Sequence, residues 1–146
     1  MDLVMDLLHN RILITAAAAW TIAQLLKAAI YALMNRRFEW RRLLGDGGMP
    51  STHSATVTAA ATACGMICGL DSGVFALAVL LAFITCHDAM HARQEIGKQA
   101  AAIKELAREQ ESDMDIALKE FVGHTPAQVV VGIALGFAVG LAVSLI

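Results

Sequence analysis

Apolar residues along this chain come in long runs rather than in the alternating or single-striped patterns of a soluble domain. A helix needs roughly 20 mostly apolar residues to cross the hydrocarbon of a bilayer. Four stretches meet that length: residues 12–34, 51–70, 72–90 and 126–146. The pattern predicts an all-α, polytopic membrane bundle of about four transmembrane helices, forming a single membrane domain over 1–146. The only tight turn between two spans is Leu70-Asp71-Ser72-Gly73. Two longer polar segments, 35–50 and 91–125, complete the chain. Within the second, residues 93–110 read as an amphipathic cytosolic helix, with Ile96, Ile103 and Leu106 on one side and charges such as Lys104 and Arg108 elsewhere.

Lysine and arginine placement sets the expected orientation, because short cytoplasmic loops are enriched in them. Arg36, Arg37, Arg41 and Arg42 lie in the first polar segment, and Arg93, Lys98, Lys104, Arg108 and Lys119 in the second. Four spans place both segments on one face, which the rule makes cytoplasmic, in a cell inner membrane. Lys27 lies inside the first span, about 10 Å of helix rise before Met34. Its ammonium either snorkels to the surface or enters a polar site.

Composition agrees with a membrane solvent. Of 146 residues 58% are hydrophobic and only 16% charged, and the mean hydropathy is +0.62. A net charge of -2 offers no basic surface for nucleic acid. The three cysteines, Cys64, Cys68 and Cys86, fall inside apolar runs without CxxC spacing and read as small core residues. The N-terminus carries Asp2 and Asp6 rather than the basic start of a signal peptide, so the first apolar run is expected to be retained.

Candidate chemistry sits where polar segments run into spans. Gly47-Gly48-Met49-Pro50-Ser51-Thr52-His53-Ser54 leads from a flexible turn into a helix start, with Pro50 suited to the first turn and Ser51 or Thr52 able to cap it. Free N–H groups and the positive dipole end make such a start a natural anion site. Gly123-His124-Thr125-Pro126 repeats the arrangement before the last span. Each histidine also heads a small-residue stripe at four-residue spacing: His53, Val57, Ala61, Gly65 and Gly69, and His124, Gln128, Gly132, Gly136 and Gly140. Small residues let transmembrane backbones approach closely. If the two stripes face each other, His53 and His124 converge on one pocket.

These residues, with Asp88-Ala89 and Arg93 and with Gly97-Lys98-Gln99-Ala100, resemble the divergent branch of the type 2 phosphatidic acid phosphatases, which is related to the vanadium-dependent haloperoxidases. The resemblance runs from about Lys27 into the last span. It implies that His53 is a general acid and that His124 is the nucleophile forming a phospho-enzyme. The implied activity is a membrane phosphatase that hydrolyses a lipid phosphate or diphosphate at headgroup depth without a metal or other cofactor. Two imidazoles near neutrality suit these roles. Phosphoryl transfer further needs cations and backbone donors around the equatorial oxygens. The candidates are Lys27, Arg37, Arg93 and Lys119, with Gly48, Ser51, Thr52 and Ser54 of the turn. The chain departs from the wider family's pattern at Thr52, where a glycine is usual, at Gln128, four residues after the nucleophile where a carboxylate is usual, and in lacking an arginine six residues before His124. Gln128 is expected to orient the imidazole, Asp88 to supply the missing carboxylate, and Arg93 or Lys119 the missing cation.

Two rival readings remain open at this level. His87, His91 and Glu95, at i, i+4 and i+8, have the spacing of a divalent-metal site and suggest a metal-dependent lipid phosphatase or phosphotransferase. A non-catalytic scaffold or lipid-binding subunit assembled through the glycine stripes is the other. Because the wider family commonly has six spans, a homodimer through Gly132, Gly136 and Gly140 is expected to complete the packing.

Overall fold

A computed structural model describes residues 3–37, 48–109 and 124–146, and every described element is a helix. A short α1 (Leu3–Leu8) precedes α2 (Arg11–Asn35), α3 (Thr52–Cys68), α4 (Gly73–Met90), α5 (Ala92–Glu109) and α6 (Pro126–Ser144). Each apolar run becomes one helix because nothing in its interior stops it, while polar side chains cap the starts. Asn10 Oδ1 accepts from the N–H groups of Ile12 and Leu13, Ser51 Oγ from Ser54 N, Ser72 Oγ from Phe75 N, and Thr125 Oγ1 from Gln128 N. Ser51 is thus the cap of α3. Pro50 precedes the cap instead of entering the first turn, as the sequence suggested it would. Gly69 ends α3 at a φ of 92°, a conformation that glycine takes without steric cost.

Helices α2, α4 and α6 are long and apolar enough to cross a membrane. With 17 residues, α3 is shorter than the 51–70 run suggests, and it packs centrally against α2, α4 and α6. Side-chain size is distributed as in a lipid-solvated bundle. The interior is built from Ala19, Ala23, Ala55, Ala59 and Ala63, while Leu25, Leu77, Leu80, Leu81, Phe83 and Ile84 point outward. Lipid tails are as apolar as leucine, so close packing of small residues holds the helices together and the large residues face the bilayer.

Close contacts fix the directions. A Cβ on Gly132 would lie 2.6 Å from Ser51 O, one on Gly136 would overlap the Ala55 carbonyl, and one on Gly140 would lie 2.6 Å from Thr62 Cβ. Both series ascend together, so α3 and α6 run parallel, almost backbone to backbone. Arg11 at the start of α2 donates to the carbonyls of Val143 and Ser144 at the end of α6, which makes α2 antiparallel to it. There the guanidinium satisfies two orphan carbonyls and meets the negative end of the dipole. Because α4 returns from α3 through a tight turn, the end of α2, the starts of α3 and α6 and the end of α4 share one end of the bundle.

The stripe on α6 packs as its spacing suggests, but its partner on α3 is not the one expected. The face of α3 against α6 is Ser51, Ser54, Ala55, Ala59 and Thr62. Val57 turns toward Cys86, Ala89 and Val129, and Gly65 toward Leu70 and Phe75. Helix α3 is small on several sides, so periodicity alone did not choose the face. The glycine ridge of α6 is consequently covered by α3 of the same chain and is not the exposed surface that the expected homodimer contact requires.

Candidate active site

Two backbone hydrogen bonds tie the three helix ends together. Ser51 N–H donates to Gln128 O at 3.0 Å, joining the starts of α3 and α6, and His124 N–H donates to Ala89 O at 2.9 Å, joining the approach to α6 with the end of α4. His53 is the second residue of α3, and His124 immediately precedes the cap of α6. So fixed, their rings meet edge to face, with centroids 5.8 Å apart and planes at 83°. His124 is only 2% exposed. The parallel run of α3 and α6 aims two positive dipole ends at this junction.

Lys27 is 5% exposed. A Cβ built on Gly48, whose φ is 90°, would lie 3.2 Å from Lys27 Cγ, so this side chain is buried beside the turn that leads to His53 instead of lying along the bundle's surface. Thr52 is also buried and, with His53, lines a cavity of about 310 Å³ between α2, α3 and α4. Trp20, Gln24, Thr56, Val57 and Thr85 complete its wall. Of these five the sequence singled out only Val57, as a member of the small-residue stripe and not as a site residue. The available signal was helical spacing on α2, where Trp20 and Gln24 lie four apart and Gln24 stands one turn before Lys27.

Other expected site residues do different work. Ser51 and Ser54 are fully buried against Gly132, and Ser54 Oγ donates to Ser51 Oγ at 3.0 Å, so these hydroxyls satisfy one another at the helix interface. Gln128 does not use its side-chain oxygen to orient the imidazole. That oxygen accepts from Thr125 N at 3.1 Å, closing a reciprocal capping box. Arg37 is exposed just beyond α2. Asp88 is half-buried and lines a groove on α4 with Phe83, Ile84, His87 and His91, apart from the cavity that His53 lines. Gly47, Gly123 and Lys119 lie outside the described residues, as does the side chain of Arg93 within α5.

The metal triad of the rival reading does not assemble. His87 and His91 stack on one another at 4.3 Å between centroids, and Glu95 pairs with Lys98 at 2.6 Å. Among the described residues no three of His, Cys, Asp and Glu come together as a ligand set. The stacking follows from the i, i+4 spacing within one helix face, and the break at His91 separates Glu95 onto α5.

Comparison with known proteins places the chain in a family of membrane proteins. The chain is 34% identical over 142 residues, 88% of its own length and 90% of the relative's, to the uncharacterized membrane protein YuiD of Bacillus subtilis (strain 168). No solved structure matches it. The Divergent PAP2 family matches residues 8–139, which takes in α2, α3, α4, both histidines and most of α6, and the chain belongs to that family.

Proposed function

We propose that this membrane protein is a lipid phosphatase that hydrolyses a phosphate or diphosphate monoester through a phosphohistidine on His124, with His53 as general acid and then base. The observation that carries this reading is the contact of the two imidazoles at paired helix starts, beside a buried lysine. In the first step a nitrogen of neutral His124 attacks phosphorus. The P–N bond forms as the bond from phosphorus to the leaving oxygen breaks, an ester bond in a monophosphate and the anhydride bond in a diphosphate, and protonated His53 gives its proton to the departing oxygen. In the second step water attacks phosphorus and the P–N bond breaks. Neutral His53 takes the water's proton and inorganic phosphate leaves. Lys27 and the positive dipole ends of α3 and α6 would offset the charge on the equatorial oxygens.

A headgroup-depth site walled by apolar helices suits a substrate whose tail stays in the bilayer. With the arginine- and lysine-rich segments inside, that site opens to the cytoplasm of the inner membrane. Phosphate release from lipid phosphates in the presence of EDTA tests the mechanism. Turnover is expected to survive the chelator and to fall at least about 10³-fold in both His53→Ala and His124→Ala. Activity abolished by EDTA and by His91→Ala, with both site variants active, overturns it in favour of metal chemistry. The scaffold reading draws on Gln128, whose carboxamide closes a cap where the wider family has a carboxylate partner for the nucleophile. Folded protein inert toward every lipid phosphate establishes that reading instead.

A further inference from the structure

The cavity beside His53 contains a polar group that the mechanism above does not use. Gln24 is 8% exposed, and its Oε1 is buried with no hydrogen-bond partner among the described residues. A buried carboxamide oxygen left without a donor is destabilising, and native structures rarely keep one without a use. Gln24 lines the cavity with Thr52, His53, Thr56 and Thr85, and Thr56 Oγ1 already donates to Thr52 O. At about 310 Å³ the space exceeds what one water needs. Trp20, which also lines the cavity, is exposed on the outside of the bundle, so the cavity wall extends from His53 to the outer surface.

Resting on the phosphatase reading, we propose that this cavity is the leaving-group subsite and that Gln24 selects lipid phosphates whose esterified alcohol carries a free hydroxyl on the adjacent carbon. As the general acid, His53 must stand at the ester oxygen, so the alcohol beyond that oxygen enters the cavity His53 lines. Gln24 lies one helical turn farther from the histidine end than Lys27, deeper along the path the alcohol takes toward the bilayer. A hydroxyl there can donate to Gln24 Oε1, which otherwise stays unpaired. An acylated or polyprenyl carbon brings no donor and leaves Gln24 Oε1 buried and unmatched, which is how a polar site rejects an apolar analogue.

A matched pair of probes tests this: 1-oleoyl-glycerol 3-phosphate and its 2-deoxy analogue, oleoyl-propanediol phosphate, in mixed micelles with EDTA. The wild type is expected to favour the hydroxyl-bearing probe by about tenfold or more in kcat/KM. Gln24→Leu is expected to abolish the preference by losing activity on that probe while keeping it on the deoxy analogue. Equal kcat/KM of the wild type on the two probes overturns the inference and leaves the phosphatase reading standing. Equal losses on both probes in a folded Gln24→Leu overturn it too, because they mark a structural role. If Gln24→Leu fails to fold, Gln24→Met and the wild-type comparison decide. Folded wild type inert on both probes and on a wider lipid phosphate panel removes the phosphatase reading itself, and the inference with it.

Discussion

Replacing Gly132 by alanine tests whether the approach of α6 to α3 holds the histidine junction. The new methyl would stand 2.6 Å from Ser51 O, 3.0 Å from Ser54 Cβ and 3.3 Å from Ser51 Cβ. Ordinary contact begins near 3.4 Å, so α6 must retreat by about 0.8 Å at this level. The obstructing atom is a backbone oxygen, which cannot move without α3. Overpacking of this kind costs about 1–3 kcal/mol. The retreat also stretches the Ser51 N to Gln128 O bond one turn away, worth about 1 kcal/mol. Alanine's better helix propensity returns about 1 kcal/mol, which leaves a net loss of about 1–3 kcal/mol. Misplacement near 1 Å at a reacting pair costs about 10²-fold in rate, so lipid phosphatase activity should fall by about that factor. Stability is read by titrating the detergent-solubilised protein with dodecyl sulfate and following tryptophan fluorescence. Gly73→Ala is the control, because a Cβ there meets nothing within 4 Å. A Gly132→Ala protein as stable as wild type, or stabilised like the control, refutes the close approach and the reasoning built on it.

Two further outcomes follow from the same geometry. Thr125→Ala removes the acceptor for Gln128 N and opens the capping box, which should cost about 1 kcal/mol in the same titration, whereas Thr125→Ser should keep most of it; equal losses in the two variants would show that the hydroxyl is not what matters. In a cysteine-free background, Asp71→Cys at the exposed α3–α4 turn should react with an impermeant maleimide added to intact cells, and Arg37→Cys should not; the opposite pattern reverses the proposed orientation.

What the sequence determined by itself follows from local and periodic physics. Apolar runs of spanning length can satisfy their backbone only as helices in a bilayer, and short polar caps mark where those helices start. Two histidines at two such starts, His53 and His124, were therefore visible without coordinates. Tertiary structure decided what depended on which faces meet. On α6 the glycine ridge marked its own contact, but α3 is small on several sides, and only packing chose Ser51, Ala55, Ala59 and Thr62 over Val57, Ala61 and Gly65. The same choice turned Ser51 and Ser54 into interface groups and used the side-chain oxygen of Gln128 in a cap. It also buried Lys27, for which the sequence left two destinations open. Gln24 drew no reading from the sequence, where it is one polar residue within an apolar run. Its unpaired oxygen beside His53 exists because α2 crosses α3 at that level, and no spacing within α2 contains that crossing.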